Sequence, residues 1–206
     1  MSRQIPISKV VDATLDGFKE AQRSYEKWSG GYWLWQAPEY LISSSVAKSI
    51  AGLEGAKYIT LEHGATSTLE DAGAKGKGRL PGNIREKGKV DILFWWGDGS
   101  PRAVIEIKNQ IYSKDQYEKD IKRIGAFLSK NKEQSSLQFG IFAFYESAED
   151  GPIKSSREKV TDRVNKIYKN CREILDGGYE VSLKMTDIHT IDDSSWVAAC
   201  LLIKTK

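Results

Sequence analysis

The amino-acid sequence predicts a mixed α/β domain, and three observations predict it. Apolar residues recur at three- and four-residue steps over residues 8–27 and 38–53, the period of amphipathic helices. "AKYITLEHG", "KVDILFWW" and "RAVIEIKN" have strand composition, and "GDGSP" between the last two is a strong turn signal. "LQFGIFAFYE" is apolar nearly throughout, which suits a central strand buried on both faces, and it follows another helical stretch.

The first helix carries Val10, Val11, Leu15, Phe18, Ala21 and Tyr25 on one side, with Ser8 placed as a cap. "WSGGYWLWQ" then reads as a turn rich in glycine and aromatics. In the second helix Pro38 suits the first helical position, Glu39 lies in the first turn, and Gly52 or Gly55 ends it. Its inward stripe is Ile42, Val46, Ile50 and Leu53, and Glu39 lies three residues before Ile42, on or near that stripe. In the first strand Tyr58, Thr60 and Glu62 alternate with Ile59, Leu61 and His63. Residues 65–88 are rich in Gly, Lys and Arg and read as one long loop, of the kind that is either mobile or functional. After the hairpin of residues 89–96 and 102–109, residues 114–130 form a helix with Tyr117, Ile121, Ile124 and Leu128 on one stripe. The buried strand follows, then a charged helix over about 154–176 and two closing strands, "YEVSLKM" and "SWVAACLLI". With no internal repeat and no linker, residues 1–206 read as a single domain. Its core is 38–146, with an N-terminal helical extension at 1–37 and a C-terminal helix and two strands over 154–204.

Several function classes lose support on composition. Hydrophobic residues make up 40% and charged residues 29%, ordinary for a soluble globular chain, and a net charge of +3 neither establishes nor opposes a nucleic-acid partner. Cys171 and Cys200 have no metal-ligand spacing, and His63 and His189 are the only imidazoles, so a Cys/His zinc site is disfavoured and reduced, buried thiols are expected. "GAKGKGRLPG" lacks the flanking strand and helix of a phosphate-binding glycine loop. The start has no apolar leader core, and no run approaches the ~20 apolar residues of a membrane span, so a cytoplasmic location without membrane contact is expected.

The chemistry-bearing pattern lies in the hairpin. In an antiparallel pair, opposed residue numbers sum to a constant, and a short loop around 97–101 gives 197 or 199. The first sum sets Asp91 against Glu106 and the second sets it against Lys108. Either sum puts all three on one face; an even sum or a bulge would separate them. Two nearby carboxylates repel unless a cation neutralises them, and Mg²⁺ takes oxygen ligands while keeping several waters. Such an ion acts on phosphate oxygens and on water, and a neighbouring lysine orients that water or helps deprotonate it. The backbone carbonyl of Ile107 is a further oxygen between the acid and the lysine.

"VD" at 90–91 followed after fourteen residues by "EIK" at 106–108 resembles the PD-(D/E)xK, or restriction-endonuclease-like, nuclease superfamily. The resemblance implies a core of a helix, a three-stranded meander, a helix and a strand in a mixed β-sheet flanked by helices, and residues 38–146 follow that order. Val90 replaces the proline of the family name. Gln116 and Asp120 stand where the RecB-like branch has Gln and Tyr, so no subfamily is assigned. The resemblance implies a Mg²⁺- or Mn²⁺-dependent nuclease cutting nucleic acid, DNA foremost. Asp91, Glu106 and Lys108 would be catalytic, Asp91, Glu106 and the Ile107 carbonyl would hold the metal, and Glu39 would be a further ligand or its support. Many members pair as homodimers. Two alternatives stay open: a catalytically inactive nuclease-like module that binds nucleic acid or a protein partner in defence or repair, and an unrelated interaction domain in which Asp91–Lys108 is a structural pair.

Other features carry two readings each. Lys75, Lys77, Arg79, Arg85, Lys87 and Lys89 form either a clamp on phosphates or a solvated excursion. Trp28, Tyr32, Trp33 and Trp35 either stack on bases or, the expected reading, pack the first helix onto the sheet. Trp95 and Trp96 are expected in the core or at a dimer contact. Asp120 and Arg123 suit a local ion pair, with an active-site role the weaker reading. Glu62 reads as an exposed strand position and His63 as a structural histidine rather than accessory catalytic groups.

Overall fold

The computed structural model describes residues 4–74, 84, 88–130 and 132–206. Helices α1 (Ile7–Ser29) and α2 (Glu39–Ala51) precede strand β1 (Lys57–Gly64), the short helix α3 (Ala65–Asp71), and strands β2 (Lys89–Trp96) and β3 (Pro101–Asn109). Helix α4 (Glu118–Ser129), strand β4 (Phe139–Glu149) and helix α5 (Ser156–Leu175) follow, and β5 (Tyr179–Met185), β6 (His189–Ile191) and β7 (Ser194–Thr205) close the chain. The seven strands form one open sheet in the order β1-β2-β3-β4-β7-β5, with β6 paired to β7. Only β3 and β4 run parallel, because α4 carries the chain back across the sheet between them.

Alternation sorts the strand residues into two cores. Ile92, Phe94, Ile105, Ile107 and Ile141 pack under α1 and α2 with Val10, Phe18, Ile42, Val46 and Ile50. Leu93, Val104, Phe142 and Phe144 pack under α4 and α5 with Ile121, Ile124, Val160 and Ile167. A sheet covered on both faces explains why β3 and β4 read as nearly continuous apolar runs. Helices α1 and α2 cross closely at Gly17, where a Cβ would lie 2.5 Å from Val46 Cα. Helix α5 starts at a capping box: Ser155 Oγ accepts from the Glu158 backbone N–H, and the Glu158 carboxylate accepts from Ser155 N at 2.9 Å.

The sequence reading is corrected at four places. Pro6, not Ser8, occupies the position before α1, and Pro38 caps α2 from outside, while Gly52 ends α2 as expected. Residues 65–71 are helix rather than loop: Ala65 and Leu69 are buried, and Thr68 Oγ1 donates to the Gly64 carbonyl at 2.9 Å. A single buried turn of two apolar residues is too short to show a period. The closing segment has three strands, because the three-residue β6 is too short and too exposed to alternate. Trp28, Tyr32 and Trp35 face solvent instead of packing α1 on the sheet; Leu34 is the buried member of that segment.

Other expectations hold. Cys171 and Cys200 are free and buried, and burial pushes the Cys171 thiol up to about 12. Trp95 packs partly buried, its Nε1 donating to Thr60 Oγ1 at 2.9 Å, and the Arg102 guanidinium stacks 4.1 Å from the Trp96 ring. Among the described residues no helix is long and apolar enough to cross a membrane.

Candidate active site

Strands β2 and β3 pair Ile92 with Ile105, Leu93 with Val104 and Phe94 with Ala103, a constant sum of 197. Continued one step, that register sets Asp91 opposite Glu106, and the bulge at Phe94/Trp95 lies toward the hairpin turn, away from the acids. Asp91 Oδ2 accepts a hydrogen bond from the Ile107 backbone N–H at 2.7 Å. Glu106 is fully buried. Its Oε2 accepts from Arg123 Nη2 at 2.5 Å, while Oε1 is buried with no hydrogen-bond partner among the described residues. Lys108 Nζ lies 3.2 Å from Glu39 Oε1, 3.3 Å from Asp120 Oδ2 and 3.1 Å from the Ile107 carbonyl.

Three elements converge here for separate reasons. Helix α4 follows β3 and crosses over its α5-side face, so its first turns bring Asp120 and Arg123 above Glu106 and Lys108. They pair with each other at 3.0 Å, as their spacing suggests, yet each also reaches β3. Glu39 opens α2, where the helix dipole favours an acid. Its second oxygen accepts from Asn109 N at 3.1 Å, and Asn109 Nδ2 donates to the carbonyls of Leu34 and Ala37 at 2.8 and 2.9 Å. The start of α2 is thereby tied to the end of β3.

Electrostatics follow from this crowding. Burial, and then the Asp91 charge, push the Glu106 carboxyl well above its ordinary value, against the pull of Arg123. Burial also raises Asp91, opposed by the Ile107 N–H and by Lys108. Burial alone would lower Lys108 and Arg123, but the surrounding carboxylates outweigh it and both cations hold their protons more tightly. Four carboxylates (Glu39, Asp91, Glu106, Asp120) share two cations (Lys108, Arg123). When all four are ionised, two negative charges are left unmatched by cations among the described residues.

That imbalance and the orphaned Glu106 Oε1 fit a divalent cation on Asp91 and Glu106, with the Ile107 carbonyl as a third oxygen. Glu39 is engaged by Lys108 and Asn109 instead. Among the described residues no group of three or more His, Cys, Asp or Glu side chains is arranged to hold a metal. Comparison with protein-family models, curated proteins and solved structures finds no match.

Of the basic candidates, Lys75, Lys77, Arg79, Arg85 and Lys87 lie outside the described residues. Lys89 begins β2, exposed, 3.7 Å from Glu62. His63 is paired with Asp71 at 3.2 Å and sits edge-on to Trp95. Sequence reasoning gave Asp120 and Arg123 an active-site role as the weaker reading and did not single out Asn109. The available signal was that Asp120 and Arg123 each precede an inward isoleucine, at the edge of the α4 stripe. Backbone strain also gathers here. Glu62 (φ 54) lies between the paired positions Leu61↔Ile92 and His63↔Val90, beside Asp91, and Gln110 (φ 52) follows Asn109. Each such residue costs on the order of 1–3 kcal/mol and is held by its surroundings.

A second buried acid lies beyond the end of this cluster. Glu146 of β4 accepts from Ile111 N at 2.9 Å, its Oε2 has no hydrogen bond among the described residues, and Arg163 Nη1 stands 3.6 Å away. Burial pushes its carboxyl up to about 7 from 4.5. A raised acid binds its proton more tightly in the folded state, so stability is lost as pH rises from 4.5 through about 7. Glu146→Gln keeps the shape and the Ile111 contact. It is expected to gain on the order of 1–3 kcal/mol over wild type at pH 8 and little at pH 4.5. Melting temperatures of the two proteins across this range check it; a constant difference would show that charge is not the cause.

Proposed function

We propose that this chain is a metal-dependent phosphodiesterase of the PD-(D/E)xK type, acting on nucleic acid and on DNA foremost. The observation that carries the reading is the Asp91–Glu106–Lys108 constellation. Two acids stand on adjacent strands in one register, and the Asp91 charge acts on both the Glu106 carboxyl and the Lys108 ammonium. The order α2, β1–β2–β3, α4, β4 agrees with the superfamily core, which supports the finer assignment of the α/β fold.

Asp91, Glu106 and the Ile107 carbonyl would hold Mg²⁺ or Mn²⁺. A bound ion of this kind supplies Lewis acidity toward a phosphate oxygen and toward water. Arg123 holds one oxygen of Glu106 and leaves the other free. Lys108 is fixed by Glu39, Asp120 and the Ile107 carbonyl, and their charges keep it protonated. Those contacts would hold the ammonium where it orients the attacking water and offsets charge developing at phosphorus.

One observation favours the inactive-module alternative: Arg123 and Lys108 already pair with Glu106, Glu39 and Asp120. Cleavage decides between the readings. Purified protein is expected to cut DNA with Mg²⁺ or Mn²⁺ and not with EDTA, and Lys108→Ala is expected to lower the rate at least about 10²-fold. Binding of DNA without cutting under any metal would establish the inactive module instead.

A further inference from the structure

The segment that carries Tyr32, Trp33 and Trp35 is firmly held. Leu34 N donates to Gln22 Oε1 at 2.9 Å, and the Leu34 and Ala37 carbonyls accept from Asn109 Nδ2. Leu34 is fully buried, yet Tyr32 and Trp35 project outward, 60% and 43% exposed. Across from them Tyr112 is 71% exposed although its backbone N–H is fixed by Gln116 Oε1 at 2.6 Å. Between lies a groove of about 490 Å³, whose lining includes Gln110 and Ser147. These two are locked together: Ser147 N and Oγ donate to Gln110 Oε1 at 2.9 and 3.0 Å. Arg163 and Lys159 line the groove on the α5 side.

Tyr32, Trp35 and Tyr112 belong to neither core, and the backbone beneath them is held by hydrogen bonds, so they form a preorganised surface. The groove lies next along the chain from the candidate site. Lys108, Asn109 and Gln110 are consecutive: the first carries the candidate catalytic ammonium, the second ties down the aromatic segment, and the third lines the groove.

We propose that this groove binds an unpaired nucleic-acid strand, with bases stacked on Tyr32, Trp35 and Tyr112 and phosphates facing Arg163 and Lys159. Stacking needs the open face of a base, which a duplex presents only at its ends, so the ligand class is single-stranded or frayed nucleic acid. Glu149 and Asp150 also line the groove. Lys159 Nζ donates to the Glu149 carbonyl at 2.9 Å, which brings an ammonium to that acidic end. The proposal rests on the nuclease reading for the fate of the bound strand, but binding can be measured without turnover.

The test is fluorescence anisotropy of a labelled oligothymidylate, with a blunt duplex for comparison, in EDTA. Wild type is expected to bind the oligothymidylate. Trp35→Ala and Tyr112→Ala should each weaken binding about tenfold with unchanged melting temperature. Trp35→Phe should restore most of the loss, and Tyr58→Ala, at an exposed tyrosine of β1, should have no effect. No binding by wild type, wild-type affinity in both ring variants, or an equal loss on the blunt duplex overturns the proposal. If wild type cuts DNA with Mg²⁺ while the ring variants bind normally, the groove fails and the nuclease reading stands. If the rings are needed for binding but no metal supports cleavage, the nuclease reading fails and the groove stands as a binding site.

Discussion

Asp91→Asn is expected to abolish metal-dependent cleavage, a loss of at least about 10³-fold, while raising the melting temperature of the metal-free protein by about 2–4 °C. The two effects have opposite signs for one reason. Asparagine keeps an oxygen that can accept from the Ile107 N–H, so the strand contact survives. It removes one of four negative charges that share two cations, and Asp91 is an acid whose ionisation burial already opposes. For this partly exposed group the gain is about 1 kcal/mol. The sign has a pH signature. Because the folded pKa is raised, Asp91 costs wild type stability as pH rises above the ordinary aspartate value of 3.8, and the variant lacks that contribution. Their melting temperatures should converge in acid and separate toward neutrality. Mg²⁺ should then raise the melting temperature of wild type and not of the variant. An equal metal response in both would remove Asp91 from the metal site.

Arg123→Met is expected to give the largest loss of stability, about 3–5 kcal/mol near neutral pH, which lowers the melting temperature by about 10 °C or more. Glu106 is fully buried and its one charged hydrogen-bond donor is Arg123 at 2.5 Å. Without the guanidinium the carboxylate must stay ionised and unpaired or take up a proton, and its pKa, already raised, climbs further. The loss should therefore shrink at low pH, where Glu106 is protonated in both proteins. Adding Glu106→Gln to Arg123→Met should recover most of the stability, because two neutral groups replace an orphaned charge. Thermal melts at pH 5 and pH 8 separate this from packing: an equal loss at both would assign the effect to the arginine's hydrocarbon stem.

Much of the candidate site was legible because β-strands impose a two-residue period. That Asp91, Glu106 and Lys108 share a face follows from parity and a short hairpin loop, and the observed sum of 197 is one of the two expected. The position of Glu39 near the inward stripe of α2 likewise follows from helical phase. The contacts of α4 were not legible. Asp120 and Arg123 satisfy each other locally, so nothing in their spacing demanded that they also reach Lys108 and Glu106 on another element. The exposed rings of Tyr32 and Trp35 ran against the usual burial of large aromatics, because their segment is held by backbone and amide hydrogen bonds that leave no trace in composition.

The sequence by itself determined the type and order of the longer elements and which strand residues share a face, since these depend on chain-local periods, but not the short α3 and β6. Tertiary structure alone decided which charges meet: Arg123 on Glu106, Lys108 between Glu39 and Asp120, and Asn109 fastening the aromatic segment beside the site. Those pairings depend on how helices packed on opposite faces of the sheet are rotated and where they begin, and no period along the chain encodes that.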